Sequence, residues 1–386
     1  MLALIVCGPL AGIAQDAAEL SCGLAWLQRQ WPHQAWQALP DAGPAALLAG
    51  ALQHGAALND DALVLLLAHA HWMLTDAAAQ RLQAAVQAGA ALALCPAGPR
   101  SADSPAPAYY TVRGLERYCE ALARSQPDET EVLTALPAAP LILARMGALR
   151  ALARGQAATG LWPSGCHAHD IAGYQQGARP EILPLIPAQA QRVLDVGGGE
   201  GQFLRALKAE RGCQTHLSEY SPQACARAAA WVDHAWPGDF LTQAFADVLP
   251  QGGAGAFDCI TMLDSLEHSA EPQLWLARAR QLLAPGGCLV GSVPNVGHWS
   301  VLADLLEGRW DYCPVGIHCI THLRFFTQQT LADLLAQQGF ALEQVEPVLL
   351  PCPPEWLQAW QATPGLQVNP QALDSYAFLF RARPLQ

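Results

Sequence analysis

The chain is 386 residues long, 52% hydrophobic and only 14% charged, with a formal net charge of −12 and a single lysine, Lys208. That length suits two domains, each large enough for its own core, and the acidic balance leaves no basic surface for phosphates, which argues against a nucleic-acid partner. No apolar run reaches the roughly 20 residues of a membrane helix, and the twelve cysteines form no C-x-x-C pairs, so they read as reduced thiols of a cytoplasmic protein.

Met1–Cys7 has no basic residue before it and stops at Gly8-Pro9, which predicts a first β-strand and not a leader. From there to about residue 155, apolar runs alternate with alanine-rich helical stretches, the pattern of an α/β domain. A helix over Asp76 to Gly89 and a strand over Ala90 to Cys95 are expected within it. The order Leu24–Pro32, Ala35–Asp41 and Asp61–His71 resembles the family 2 inverting glycosyltransferases, in which a late hydrophobic strand delivers a D-x-D motif. Here that motif is replaced by His69-Ala70-His71, and of the first acidic pair only Asp41 remains. The resemblance implies a degenerate nucleotide-sugar-transferase-like domain over residues 1–155, lacking the carboxylates that would bridge a divalent ion and a diphosphate.

Gly155, Gly160, Pro163 and Gly165 then read as a linker, and a second domain is expected over residues 156–386. Its most informative stretch is Val193 to Gln202, an apolar strand running into a loop with glycines at 197, 199 and 201. Glycine serves where backbone takes positive φ or approaches a ligand closely. A dinucleotide fingerprint would need a further glycine at 202, and Gln202 stands there. After a helix over Gln202 to Arg211, Glu219 ends a second strand about 20 residues past the loop, where a carboxylate can accept two hydrogen bonds from a ribose diol. Gly238-Asp239-Phe240 follows a short third strand. The fourth strand, Phe257 to Leu263, runs into Asp264-Ser265-Leu266-Glu267-His268, and Pro285-Gly286-Gly287 turns a helix into the fifth strand.

In this order the segments resemble the class I S-adenosylmethionine-dependent methyltransferases, specifically a D-x-L-E-H group associated with glycosyltransferases. The resemblance implies a Rossmann-like, seven-stranded fold closed by a helix over Gln328 to Gln338, a strand near Ala341 to Leu350 and a last strand over Ser375 to Arg381, the antiparallel sixth and seventh strands. It implies S-adenosylmethionine as cofactor, held by Asp195, Gly197, Gly199, Gly201, Glu219, Asp239, Phe240, Asp264 and Tyr174. Tyr174 belongs to a helix over His169 to Tyr174 ahead of the loop, where Tyr and Arg often touch the cofactor carboxylate, with Arg179 following. His268 is the expected base, with Glu267 and His322 beside it, because an imidazole titrates near neutral pH. If residues 264–268 were helical, Asp264, Glu267 and His268 would share a face, and with His322 would resemble the divalent-metal site of quinone and small-RNA methyltransferases. A metal-free reading stands beside that one, and no metal is assigned. Cys313, His318, Cys319 and His322 fit no standard zinc spacing. The Trp- and His-rich run from Asn295 to Phe326 reads as an acceptor pocket or lid.

The expected activity is O-methylation of a sugar, glycan or other small-molecule hydroxyl. Two alternatives stay open: a non-catalytic module that keeps the fold, and a bifunctional glycosyltransferase/methyltransferase.

Overall fold

The computed structural model describes residues 2–7, 31, 35–39, 43–68, 72–97, 111–170, 177–245 and 255–385. Asp41, His69-Ala70-His71 and Tyr174 lie outside the described residues. The chain divides into two compact units, Met1–Gly173 with Asp311–Ile320, and Tyr174–Trp310 with Thr321–Gln386.

In the first unit, strands β1 (Leu2–Cys7), β2 (Ala35–Ala38), β3 (Leu63–Leu67), β5 (Leu92–Cys95), β6 (Glu129–Leu133), β7 (Leu141–Arg145) and β8 (Ala158–Trp162) form one mixed sheet, in the order β2-β1-β3-β7-β5-β8-β6. A separate antiparallel pair joins β4 (Trp72–Met73) to β9 (His169–Asp170). Strand side chains alternate faces, and the unbroken apolar runs therefore fill two layers. Ile5, Leu65, Leu67, Ala93 and Leu143 pack with Ala78, Leu82 and Val86 of helix α2 (Asp76–Gln87). Leu4, Val6, Val64, Leu66 and Leu94 pack with residues of α1 (Pro44–His54) and α4 (Met146–Ala153). Helix α2 starts at Thr75, whose hydroxyl accepts from the Ala78 amide at 3.1 Å, a standard N-cap.

Three expectations change here. The unit runs past residue 155, because Ala158–Trp162 inserts between β5 and β6. His169-Asp170 is a strand and not part of a helix. Residues 311–320 join this unit, where Cys313 packs with Met73 and with Val112, Leu115, Tyr118, Cys119 and Leu122 of helix α3 (Val112–Ser125).

In the second unit, β10 (Arg192–Val196), β11 (Gln214–Glu219), β12 (His234–Pro237), β13 (Phe257–Leu263), β14 (Leu283–Pro294), β15 (Phe340–Leu349) and β16 (Ser375–Pro384) give the order β12-β11-β10-β13-β14-β16-β15. β10 to β14 are parallel, whereas β16 is antiparallel to both β14 and β15. The last two strands are thus antiparallel to each other, but β16 alone opposes the sheet. Strand order reverses at β10, which places a crevice at the carboxyl ends of β10, β11 and β13. Helices α5 (Gln202–Arg211) and α6 (Pro222–Ala228) supply Leu204, Leu207 and Ala228 to one core layer. Helix α7 (Pro272–Leu282) and α9 (Gln328–Gln337) supply Leu276, Leu282 and Leu331 to the other. The segments Trp299–Leu306 (α8), Pro354–Gln361 (α10) and Pro370–Asp374 (α11) complete the unit. Among the described residues no helix is long and apolar enough to cross a membrane, and the eleven described cysteines are buried.

Candidate active site

The loop after β10 is built on three left-handed glycines, Gly197, Gly199 and Gly201, at φ of 76°, 58° and 70°. Its close packing leaves no room for a side chain at 197 or 198. A Cβ on Gly197 would lie 2.9 Å from Ser265 Cβ, and one on Gly198 would lie 2.2 Å from an oxygen of Asp195. The loop therefore rests directly on the turn after β13.

Asp195 lies beneath the loop, only 1% exposed. One of its oxygens accepts from the Thr261 hydroxyl at 2.6 Å, while the other, Oδ2, has no hydrogen-bond partner. Burial pushes this carboxyl up to about 7; the Thr261 hydrogen bond opposes that rise and the Glu219 charge adds to it. Glu219 ends β11 as expected. Its two oxygens accept from the Gly199 amide at 2.8 Å and the Ser221 amide at 2.7 Å, so the carboxylate braces the loop and keeps further lone pairs. Burial raises its pKa, and these amides oppose the rise.

Asp239 is exposed and accepts from the Leu241 amide of its own turn at 3.0 Å. Phe240 departs from its expected role: it is 2% exposed in the core, 6.0 Å from the Phe245 ring and 5.8 Å from Trp275. An apolar ring after a turn is drawn into the nearest core.

Asp264 is tied into the protein. Its carboxylate takes Arg179 at 2.5 Å and the Ser292 hydroxyl at 2.7 Å. Residues 264–268 are not an α-helix, since Asp264 is left-handed at φ 48° and only Leu266–His268 forms a 3-10 turn. The shared-face argument for Asp264 therefore fails, and Asp264 stands outside the cluster that does form.

That cluster is Glu267, His268 and His322, with one ligand atom from each lying within 4.8 Å of the others. The Glu267 side chain is fully buried and neither of its oxygens has a hydrogen-bond partner. Burial raises its pKa well above the carboxylate range, with a further push from the Asp264 charge. His322 Nε2 lies 4.0 Å from Glu267 Oε1, and the His268 and His322 rings meet edge to face at 4.8 Å. His322 is brought there by backbone: the amides of Leu323 and Arg324 both donate to the Glu267 carbonyl, at 2.8 and 3.0 Å. One carboxyl and two imidazoles can relay a proton or hold a divalent cation.

Sequence reading gave no role to Thr261, Ser265 or Ser292 and associated Arg179 with the cofactor carboxylate. The Ser265 hydroxyl is buried and without a partner where it meets Gly197. The residues present fit an adenosyl amino acid: a glycine-rich loop opening helix α5, an unpartnered hydroxyl against it, and a carboxylate at the end of the adjacent strand.

Comparison with known proteins agrees with this reading. Residues 168–345 match the family described as methyltransferase domain. The ubiquinone biosynthesis O-methyltransferase of Xanthomonas axonopodis pv. citri (strain 306) is 30% identical over 169 residues, covering 43% of this chain and 68% of that protein. The tRNA 5-carboxymethoxyuridine methyltransferase of Escherichia coli (strain K12) is 34% identical over 140 residues, covering 35% of this chain and 52% of the relative. A solved S-adenosylmethionine-dependent methyltransferase from Mesorhizobium loti aligns with a TM-score of 0.37 at 24% identity, over 54% of this chain and 98% of its own. Against the ubiquinone biosynthesis O-methyltransferases of Cereibacter sphaeroides (strain KD131 / KCTC 12085) the chain spans 64% of the relative's length. The chain belongs to the S-adenosylmethionine-dependent methyltransferases, with its methyltransferase domain at residues 168–345.

Proposed function

We propose that the second unit methylates a hydroxyl of a small molecule or glycan at the carboxyl edge of its sheet. The observation that carries this reading is the Glu267–His268–His322 cluster, a buried carboxyl with two half-buried imidazoles, joined to the glycine loop through the Gly197–Ser265 contact. Gly197, Gly199, Gly201 and Glu219 hold the cofactor, and Asp195 supports the loop from below. S-adenosylmethionine, when bound, supplies a methyl group on an already activated leaving group, which leaves the protein to align the acceptor and take its proton. His268 receives that proton, and Glu267 and His322 orient its ring and share the charge. The net charge of −12 and the lone Lys208 favour a small acceptor over a nucleic acid.

A second reading is favoured by the same three donors, whose oxygen and imidazole chemistry suits a divalent cation. A thermal shift produced by manganese or zinc and lost in Glu267→Gln would assign them to a metal. The first unit reads as a degenerate nucleotide-sugar-transferase-like domain in a cytoplasmic protein. Its α/β sheet and the buried cysteines support this, and a calorimetric titration with a sugar nucleotide tests it.

The central experiment is calorimetry with S-adenosylhomocysteine, followed by methyl transfer to a panel of catechol and sugar hydroxyls. Saturable binding with acceptor-dependent turnover is the expected result. His268→Ala is expected to keep binding and lose about 10²- to 10⁴-fold in turnover. Binding without turnover on any acceptor would favour a non-catalytic module, and absent binding would remove the cofactor assignment.

A further inference from the structure

Among the described residues only three non-glycine residues have positive φ: Arg179 at 50°, Phe245 at 51° and Asp264 at 48°. Two of these three are bonded to each other. Strained backbone persists where its surroundings over-determine it, and it gathers at working sites. The guanidinium of Arg179 donates through Nη1 to Asp264 Oδ2 at 2.5 Å, through Nη2 to Ser292 Oγ at 3.2 Å and through Nε to Glu181 Oε1 at 2.5 Å. Ser292 Oγ in turn donates to Asp264 Oδ1 at 2.7 Å and accepts from the Asp264 amide at 3.0 Å. With one proton and two lone pairs, that hydroxyl is saturated.

We infer that Arg179 is a positioning residue: through Asp264 and Ser292 it holds the turn that presents Glu267 and His268. The inference rests on the methyltransferase reading of this edge. The network spans three elements, since Arg179 precedes the 3-10 turn Pro180–Leu185, Asp264 follows β13 and Ser292 lies in β14. Asp264 is followed directly by Ser265, which packs on Gly197, and then by Leu266–His268. A shift at Asp264 is therefore felt by the loop on one side and by the cluster on the other. Three guanidinium nitrogens already committed to Asp264, Ser292 and Glu181 favour this role over direct capture of a ligand carboxylate.

The test uses the full chain with Arg179→Gln, Asp264→Asn and the double variant. Two ligands are titrated: S-adenosylhomocysteine, and 5′-methylthioadenosine, which lacks the amino-acid carboxylate. The imidazole resonances of His268 and His322 are followed by NMR. Both single variants are expected to move those resonances, the double variant no further than either one, and affinity for the two ligands is expected to change by the same factor. Loss of S-adenosylhomocysteine affinity with 5′-methylthioadenosine unaffected would overturn the inference and make Arg179 a cofactor ligand. Unmoved resonances, or additive effects in the double variant, would overturn it as well. If Arg179→Gln does not fold, Ser292→Ala removes a single hydroxyl from the same network. It is expected to shift the same two histidines, and the inference fails if it does not. Wild-type protein that binds neither ligand would instead sink the methyltransferase reading.

Discussion

The two units each build a seven-stranded sheet with apolar layers on both faces, yet they differ in what else they bury. Among the described residues, the first unit buries Thr75, Thr111, His167 and His318 along with its apolar side chains, whereas every buried carboxylate, Asp195, Glu219, Glu267 and Asp304, belongs to the second. Burying an ionisable group without full compensation costs stability. A sheet that does so three times at one edge, at the ends of β10, β11 and β13, is arranged around a task beyond its own packing. The first sheet shows what the same layer architecture looks like without that demand.

Substitutions can break or sharpen that contrast. Leu65→Ala, in the fully buried middle of β3, should cost about 2–5 kcal/mol in denaturant unfolding of the first unit and leave S-adenosylhomocysteine affinity unchanged. A matching loss of affinity would mean the units are not energetically separate. Gly197→Val places a branched side chain at φ 76°, with its Cβ 2.9 Å from Ser265. Strain of that kind costs on the order of 1–3 kcal/mol, and calorimetry should show the loss in ligand binding while unfolding of the first unit stays put. Asp195→Asn addresses the buried charge itself. The Asp195 carboxyl sits near 7 in the fold against an ordinary 3.8. Between those values the folded state keeps a proton that the unfolded state has shed, so stability falls as pH rises from about 4 to about 7. The variant should flatten that part of a melting-temperature profile. His216 and His298, held near 4 by burial, work in the opposite sense, losing stability as pH falls from about 6.5 towards 4, so the difference between wild type and variant isolates Asp195. The smallest effect is expected from Thr75→Ala, which removes the cap of α2 and should cost about 1 kcal/mol in the first unit alone.

The glycine loop and Glu219 are legible in the sequence because local geometry dictates them: a strand end, positive φ, and a fixed helix length before the next strand. Glu267 and His268 are legible as a short motif and His322 only through the resemblance, but the 3-10 form of the turn is not, since the left-handed Asp264 depends on partners 85 and 28 residues away. Phe240 is misread for a related reason, because a turn in sequence does not say whether the next ring faces a ligand or the core. The domain boundary at 155 fails on glycines that look like a linker, although Gly160 lies in β8, packed against Leu133 and Leu94.

The placement of residues 311–320 in the first unit has a consequence for synthesis on the ribosome. Chains usually fold domain by domain as they emerge, but here the amino-terminal half is not complete when it leaves the exit tunnel. Its cluster of Met73, Leu115, Tyr118 and Leu122 waits for Cys313, by which point most of the following sheet has already been translated. Nascent chains arrested so that residue 320 lies just inside or just outside the exit tunnel should therefore differ in protease resistance in a region more than a hundred residues upstream.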